Sequence, residues 1–338
     1  MRKLLIQTLF IILPSAGVYC QGLFDNEEPL ETRIRVSIQD VKKNTSDTTY
    51  TMESLYFKNA EGEMDSLEIG IRGRGNFRYQ ECYFPPLKIK IKKKEAKDTP
   101  FEDNRTLKLV MPCKNQTGNN ELVIKEFLCY KLYEIVSDRH FKTRLLKLQY
   151  DEVRKRKTLT NNFYAFLIED DKDVARRLNA GVIENPVHNL ALNDTIAVIN
   201  DFFQFLIGNP DYSLGGQHNA KVFFDTKTTH YPIAYDFDMT GFVNPPYWTT
   251  PVRNGEPITR GTATDRIYLG YCRSESVFQW VRTSFLNQES AIFAEIQNYE
   301  SFLGATEYKR LRGFIADFYQ TLKNDNKYER EILNSCRK

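Results

Sequence analysis

From Leu87 to Lys92 the chain alternates without a break: Leu87, Ile89 and Ile91 fall on one side, Lys88, Lys90 and Lys92 on the other. A helix would scatter these two sets around its axis, whereas a strand, with a period of two, gathers the apolar residues on one face and the lysines on the other. Pro85-Pro86 introduces the run. The region around it, from about Glu31 to Val110, reads as strands. Arg33 to Ile38 alternates, Tyr50 to Phe57 and Leu67 to Ile71 are rich in β-formers, and Leu107 to Met111 is another short strand. Between Ile71 and Leu87 lies the loop Arg72-Gly73-Arg74-Gly75-Asn76-Phe77-Arg78. It reads either as a hairpin turn or as a cradle of glycines and arginines for phosphates.

Helical spacing appears at Glu121 to Val136, where Val123, Phe127, Tyr130 and Leu132 with Tyr133 share a face. Leu145 to Tyr150 and Phe163 to Ile168 read as two strands around a charged turn, Asp151 to Lys157. Polar text follows to Asn193, with a helix expected around Asp171 to Leu178. Asn193 or Asp194 caps the next helix, which carries Ile196, Ile199, Phe203 and Leu206 and must stop at Gly208-Asn209-Pro210. Strands at Lys221 to Phe224 and Tyr231 to Tyr235 come next, and two or more long helices fill Glu275 to Leu333. No internal repeat and no low-complexity linker interrupts the order. Strands first and helices second predict an α+β fold of two lobes: residues 21–170 strand-rich, residues 171–338 mainly helical.

Length and charge narrow the function classes. The 338 residues suffice for two lobes sharing a cleft, and 47 Lys+Arg against 44 Asp+Glu leaves +3, too little to argue for nucleic acid. Arg2 and Lys3 precede the apolar run Leu4 to Leu13, and Ser15, Ala16 and Gly17 follow, so residues 1–20 read as an export signal. The mature chain is then expected to be soluble, without a transmembrane segment, and secreted or periplasmic. Cys20 follows Val18-Tyr19 rather than small residues, so release is preferred to lipoprotein anchoring. Five cysteines remain beyond Cys20, an odd number that leaves one thiol free. Cys82 with Cys113 and Cys272 with Cys336 are the candidate pairs, and Cys129 sits among apolar helix positions as a buried thiol.

The chemistry concentrates between Asn209 and Gly241. Asp211 stands in a turn just past a helix, Asn219 precedes a strand, and Asp236 and Asp238 bracket Phe237 at a strand end. An Asp facing a cleft can take a proton from a hydroxyl. An amide oxygen and a pair of carboxylates are the hard donors that Mg2+ or Mn2+ shares with substrate phosphates. Each has a plainer reading: Asp in N-P-D is a turn former, Asn before a strand a cap, and only Asp-x-Asp after an apolar strand points to a metal by itself. The order of all four is what carries weight. His218 reads as a support rather than a base; His140, His188 and His230 have no ligand spacing, and no Ser lies in a nucleophile elbow.

At these residues the chain resembles the spore-coat-protein-H (CotH) family of secreted, atypical protein kinases. The matching pieces are Arg72 to Asn76, Phe84 to Lys90, Val123 to Leu128, Gly208-Asn209-Pro210-Asp211 and Tyr235-Asp236-Phe237-Asp238. The resemblance implies a two-lobed protein-kinase-like fold that binds ATP with Mg2+ or Mn2+. It implies Asp211 as the catalytic Asp, Asn219 and Asp236 as metal ligands with Asp238 as helper, and Lys88 on the phosphates with Lys90 as alternate. Arg74 and Asn76 fall in the phosphate-side loop, and Glu126, with Glu121 as the competing residue, is the helix partner of Lys88. The pattern here is D-x7-N and D-F-D rather than the usual H-R-D-x-x-x-x-N and D-F-G. The expected activity is transfer of the ATP γ-phosphate to a hydroxyl of a cell-envelope protein. The competing readings are an inactive kinase-fold binding module of the cell surface and a metal-dependent phosphohydrolase using Asp236 and Asp238.

Overall fold

The computed structural model describes residues 21–75, 77–114, 119–225, 229–253, 255–259 and 261–338. Its first half is built on strands β1 (Leu30–Val36), β2 (Thr51–Lys58), β3 (Met64–Gly73), β4 (Leu87–Ile91), β5 (Thr106–Val110), β6 (Thr143–Arg154) and β7 (Lys157–Glu169). Short helices α1 (Ile38–Asn44), α2 (Phe77–Glu81) and α3 (Lys93–Ala96) lie between them, and α4 (Asn119–Val136) separates β5 from β6. The alternating Leu87–Ile91 run is indeed a strand: Leu87, Ile89 and Ile91 are buried, Lys88 is half-buried and Lys90 exposed.

The expected two-lobed protein-kinase-like fold, with a strand-rich N-terminal lobe and a mainly helical C-terminal lobe, does not hold. The seven strands close into a barrel in the order β1-β2-β3-β4-β5-β7-β6. The closing pair is parallel and non-local, Leu30 opposite Leu146 through Val36 opposite Glu152. Each of the seven strands therefore contributes apolar residues to one enclosed core containing Ile34, Phe57, Ile71, Ile89, Leu109, Leu148 and Leu167. Closure also removes the free edges that an open sheet would present.

A second core lies outside the barrel. Helix α4 is buried almost all round, because it packs on the barrel through Phe166 and Ile168 and on helices of the second half. That half continues with α5 (Asp171–Arg177), β8 (Ala180–Ile183), α6 (Asp194–Ile207), β9 (Ala220–Asp225), β10 (His230–Ala234), the short β11 (Val252–Arg253) and β12 (Glu256–Pro257), α7 (Glu275–Asn298), α8 (Ala305–Lys323) and α9 (Asp325–Glu331). Strands β8, β9 and β10 form a separate sheet in the order β10-β9-β8. Cys82 is bonded to Cys113 and Cys272 to Cys336, and Cys129 is a free buried thiol. No helix among the described residues is long and apolar enough to cross a membrane.

Candidate active site

Backbone pairing draws three distant stretches of sequence together. Helix α6 ends at Gly208, whose φ of +62° is left-handed and whose absent Cβ would sit 3.0 Å from the Phe314 ring. The carbonyls of Ile207 and Gly208 then accept the N–H groups of Phe242 (2.9 Å) and Gly241 (2.9 Å). The chain leaving α6 toward Asp211 is thereby held beside the segment leaving Asp238. Across the β9–β10 hairpin the ladder ends at Ala220 opposite Ala234, and the Tyr235 N–H reaches the Asn219 carbonyl at 3.3 Å. Asn219 and Asp236 are neighbours for that reason.

Asp211 is set by a buried relay of amides. The Tyr133 hydroxyl accepts from Asn200 (3.3 Å), Asn200 Oδ1 from Gln204 (3.4 Å), Gln204 Oε1 from Asn209 (2.8 Å), and Asn209 Oδ1 from the Asp211 N–H (2.9 Å). Asn200 and Gln204 are fully buried on α6, where such side chains persist only when bonded. The Asp211 carboxylate remains one-third exposed, 3.0 Å from His218 Nε2. A bridge pairing Ser213 with His218 places that imidazole. The Asn219 amide nitrogen donates to the Asp211 carbonyl at 2.6 Å, which turns its oxygen toward other partners.

Asp236 has a φ of +64°, a left-handed conformation that costs a non-glycine residue roughly 1 kcal/mol or more. Its N–H donates to the Tyr130 hydroxyl at 2.9 Å. Among the described residues its carboxylate forms no ion pair. Phe237 is buried between Tyr130 (4.7 Å between ring centres) and Phe203 (5.5 Å). Asp238 is buried as well, with Oδ2 3.6 Å from Arg78 Nε and without a hydrogen bond. Arg78 also binds Glu126 Oε2 at 3.0 Å and donates to the Met111 carbonyl at 2.8 Å.

One guanidinium thus faces a crowd of acids. Arg78 keeps its proton, because Glu126, Asp238 and Asp236 around it outweigh its burial. Burial pushes the Asp238 carboxyl up to about 6; Arg78 opposes the shift, and Asp236 and Asp211 add to it. Burial likewise pushes the Glu126 carboxyl upward against the pull of Arg78. Like charges gathered with one opposing cation leave a deficit of positive charge, the condition that a divalent cation relieves.

The donors fit such a cation. Asp211, Asp236 and the Asn219 amide offer hard oxygens, and the Asp238 Oδ2 atom is a buried acceptor without a hydrogen bond. Among the described residues no three carboxylate, imidazole or thiol groups converge tightly enough to hold a metal by themselves. Two surface cavities, of about 510 and 600 Å3, lie elsewhere and include none of these acids.

The cationic side departs from the sequence reading. Lys88 binds Asp170 at 2.9 Å, not Glu126, and the expected Lys88–Glu126 pair is replaced by Arg78–Glu126. Lys90 stays on the barrel's outer surface beside the Tyr50 ring, away from the acids. Lys108, directly opposite Lys88 on β5, is buried under the Phe141 and Tyr235 rings and paired with Asp171. Arg74 has no ion pair among the described residues. Its Nε is buried and unbonded, and its charge reaches Tyr130, Tyr235 and Lys108. Asn76 lies outside the described residues. Arg78, Tyr130 and the Asn200–Gln204–Asn209 relay were not singled out by sequence pattern. The only hint was a run of buried polar positions on the apolar helix before Gly208. No family model matches this chain, and no curated protein matches it.

Proposed function

We propose that this chain is a metal-dependent phosphotransferase that passes the terminal phosphate of ATP to a hydroxyl of a cell-envelope protein. The observation that supports it most is the meeting of Asp211, Asp236 and Asp238 in one electrostatic field with Asn219 alongside. The motif resemblance to the CotH family points to the same chemistry. Asp211, partly exposed and fixed by Asn209, accepts the proton of the acceptor hydroxyl, and His218 holds its carboxylate in place. Asp236 and the Asn219 oxygen would hold Mg2+ or Mn2+, with Asp238 behind them as the counter-ion of Arg78. When bound, the cation would neutralise charge on the phosphate oxygens and orient them. Arg74 at the barrel rim supplies a fixed positive charge to the same phosphates. An exported location suits an envelope substrate.

The test is incubation of the mature chain with γ-labelled ATP and Mn2+, alone and with envelope extract. The wild type is expected to transfer label, and Asp211→Asn to lower the rate about 100- to 10,000-fold, the usual worth of a positioned base. Absence of label together with absence of thermal stabilisation by ATP and Mn2+ would refute the proposal. Phosphate release from small phosphoesters without nucleotide would instead identify a phosphohydrolase.

A further inference from the structure

The geometry points to Tyr130 as the positioning residue that sets divalent-cation affinity through the Asp236 backbone, an inference that rests on the cation reading of this site. Tyr130 is 1% exposed, on the face of α4 that packs against Phe237 and Phe166. Among the described residues its hydroxyl is the partner of the Asp236 N–H. Asp236 is held in a conformation that an L-residue leaves unless its surroundings insist. One turn earlier on the same helix face, Glu126 binds the arginine that touches Asp238. Helix α4 therefore grips both ends of Asp236-Phe237-Asp238, at one end through a single hydroxyl oxygen. Without that oxygen the Asp236 N–H is stranded. The residue then relaxes to a commoner φ, and its carboxylate loses its set direction. The ring packing does not need the oxygen, so Tyr130→Phe isolates the hydrogen bond.

The experiment titrates Mn2+ into the full chain and follows the free-ion signal by electron paramagnetic resonance, with an unfolding midpoint recorded for each variant. Tyr130→Phe is expected to stay folded and to bind Mn2+ about tenfold more weakly, as loss of a group that orients a metal ligand generally does. Because Tyr130 acts through Asp236, adding Tyr130→Phe to Asp236→Asn is expected to change Mn2+ binding no further. The Asp236 amide in the wild type is expected to be protected from hydrogen exchange, a readout that needs no variant. Equal Mn2+ affinity in wild type and Tyr130→Phe, or rapid exchange of that amide, overturns this inference alone. A wild type that binds no Mn2+ overturns the cation reading and this inference with it.

Discussion

Asp201 offers the sharpest test of the physical picture, because its burial has a calculable consequence. It lies on α6, 4% exposed, and its Oδ1 accepts the Tyr212 hydroxyl at 2.9 Å. Tyr212 follows Asp211 directly, so the pair also braces the candidate site. The other oxygen faces Gly270, where a Cβ would approach it to 2.5 Å. Among the described residues no cation pairs with it: burial lifts the carboxyl to about 7, and Arg337 and Arg273 only temper the shift from a distance. In the unfolded chain the same group titrates near 3.9. Between about pH 4 and pH 7 the folded chain keeps a proton that the unfolded chain has released, so raising the pH through that window favours unfolding. A gap of about three units at ~1.36 kcal/mol per unit makes this group's contribution roughly 4 kcal/mol worse at pH 8 than at pH 4. Asp201→Asn cannot titrate and keeps an acceptor for Tyr212. The Tyr268 hydroxyl, buried without a hydrogen bond, flanks Gly270 as Asp201 Oδ2 does and is an available acceptor for the new amide protons. Urea unfolding of both proteins at pH 5, 6, 7 and 8 is expected to show the variant gaining on the wild type at each step, by about 2–4 kcal/mol across the series. Parallel stability curves would show that Asp201 titrates in the fold as it does in the unfolded chain and would refute the reasoning.

Arg78→Met leaves Glu126 and Asp238 buried without their cation, and urea unfolding at pH 7.5 is expected to show a loss of about 3–5 kcal/mol. Since burial pushes both carboxyls upward, the loss should shrink at pH 5, where both take up protons; a loss that does not depend on pH would count against the pairing seen here. The disulfides span 31 and 64 residues, so Cys82→Ser/Cys113→Ser and Cys272→Ser/Cys336→Ser are each expected to cost roughly 3.5–4.5 kcal/mol by the loop-entropy relation, the second slightly more. A cost below about 1 kcal/mol for either, measured by thermal unfolding under oxidising conditions, would argue against that bridge.

What the sequence made legible was local. The period-two run at Leu87–Ile91, the helix Asn119–Val136 and the Asn193 cap of α6 are decided within a few residues, and each stands where the pattern places it. The charged stretch Asp151 to Lys157 read as a turn, yet β6 continues to Arg154 and β7 begins at Lys157. Strand pairing overrode composition there: Asp151 is held by Arg33 at 2.7 Å and by Thr160 at 2.7 Å, which makes a charged residue at home in a ladder. Closure of the barrel was not legible, because it depends on β1 finding β6 more than a hundred residues later. Nothing in either strand's alternation states its partner, and the same patterns suit an open sheet or a closed one.

The candidate site divides along the same line. Carboxylates and amides near turns can be listed from sequence; backbone pairing at the end of α6 and along the β9–β10 ladder brings their segments side by side, Asn219 bonds the Asp211 carbonyl, and Asp236 and Asp211 both act on Asp238. Which cation faces which acid was not readable. Lys88, Lys108 and Arg72 are cross-strand neighbours, so their partners follow from strand order and barrel curvature rather than from spacing along the chain. The consequence for chemistry is concrete. Asp170 and Asp171 at the start of α5 neutralise Lys88 and Lys108, and Glu126 is committed to Arg78. Arg74, whose buried Nε has no hydrogen bond, is the charge that the proposed function assigns to an incoming phosphate. On the proposed reading, an arginine without an ion pair beside acids short of positive charge suits a phosphate and a cation taken up together, since either alone would leave a charge unpaired.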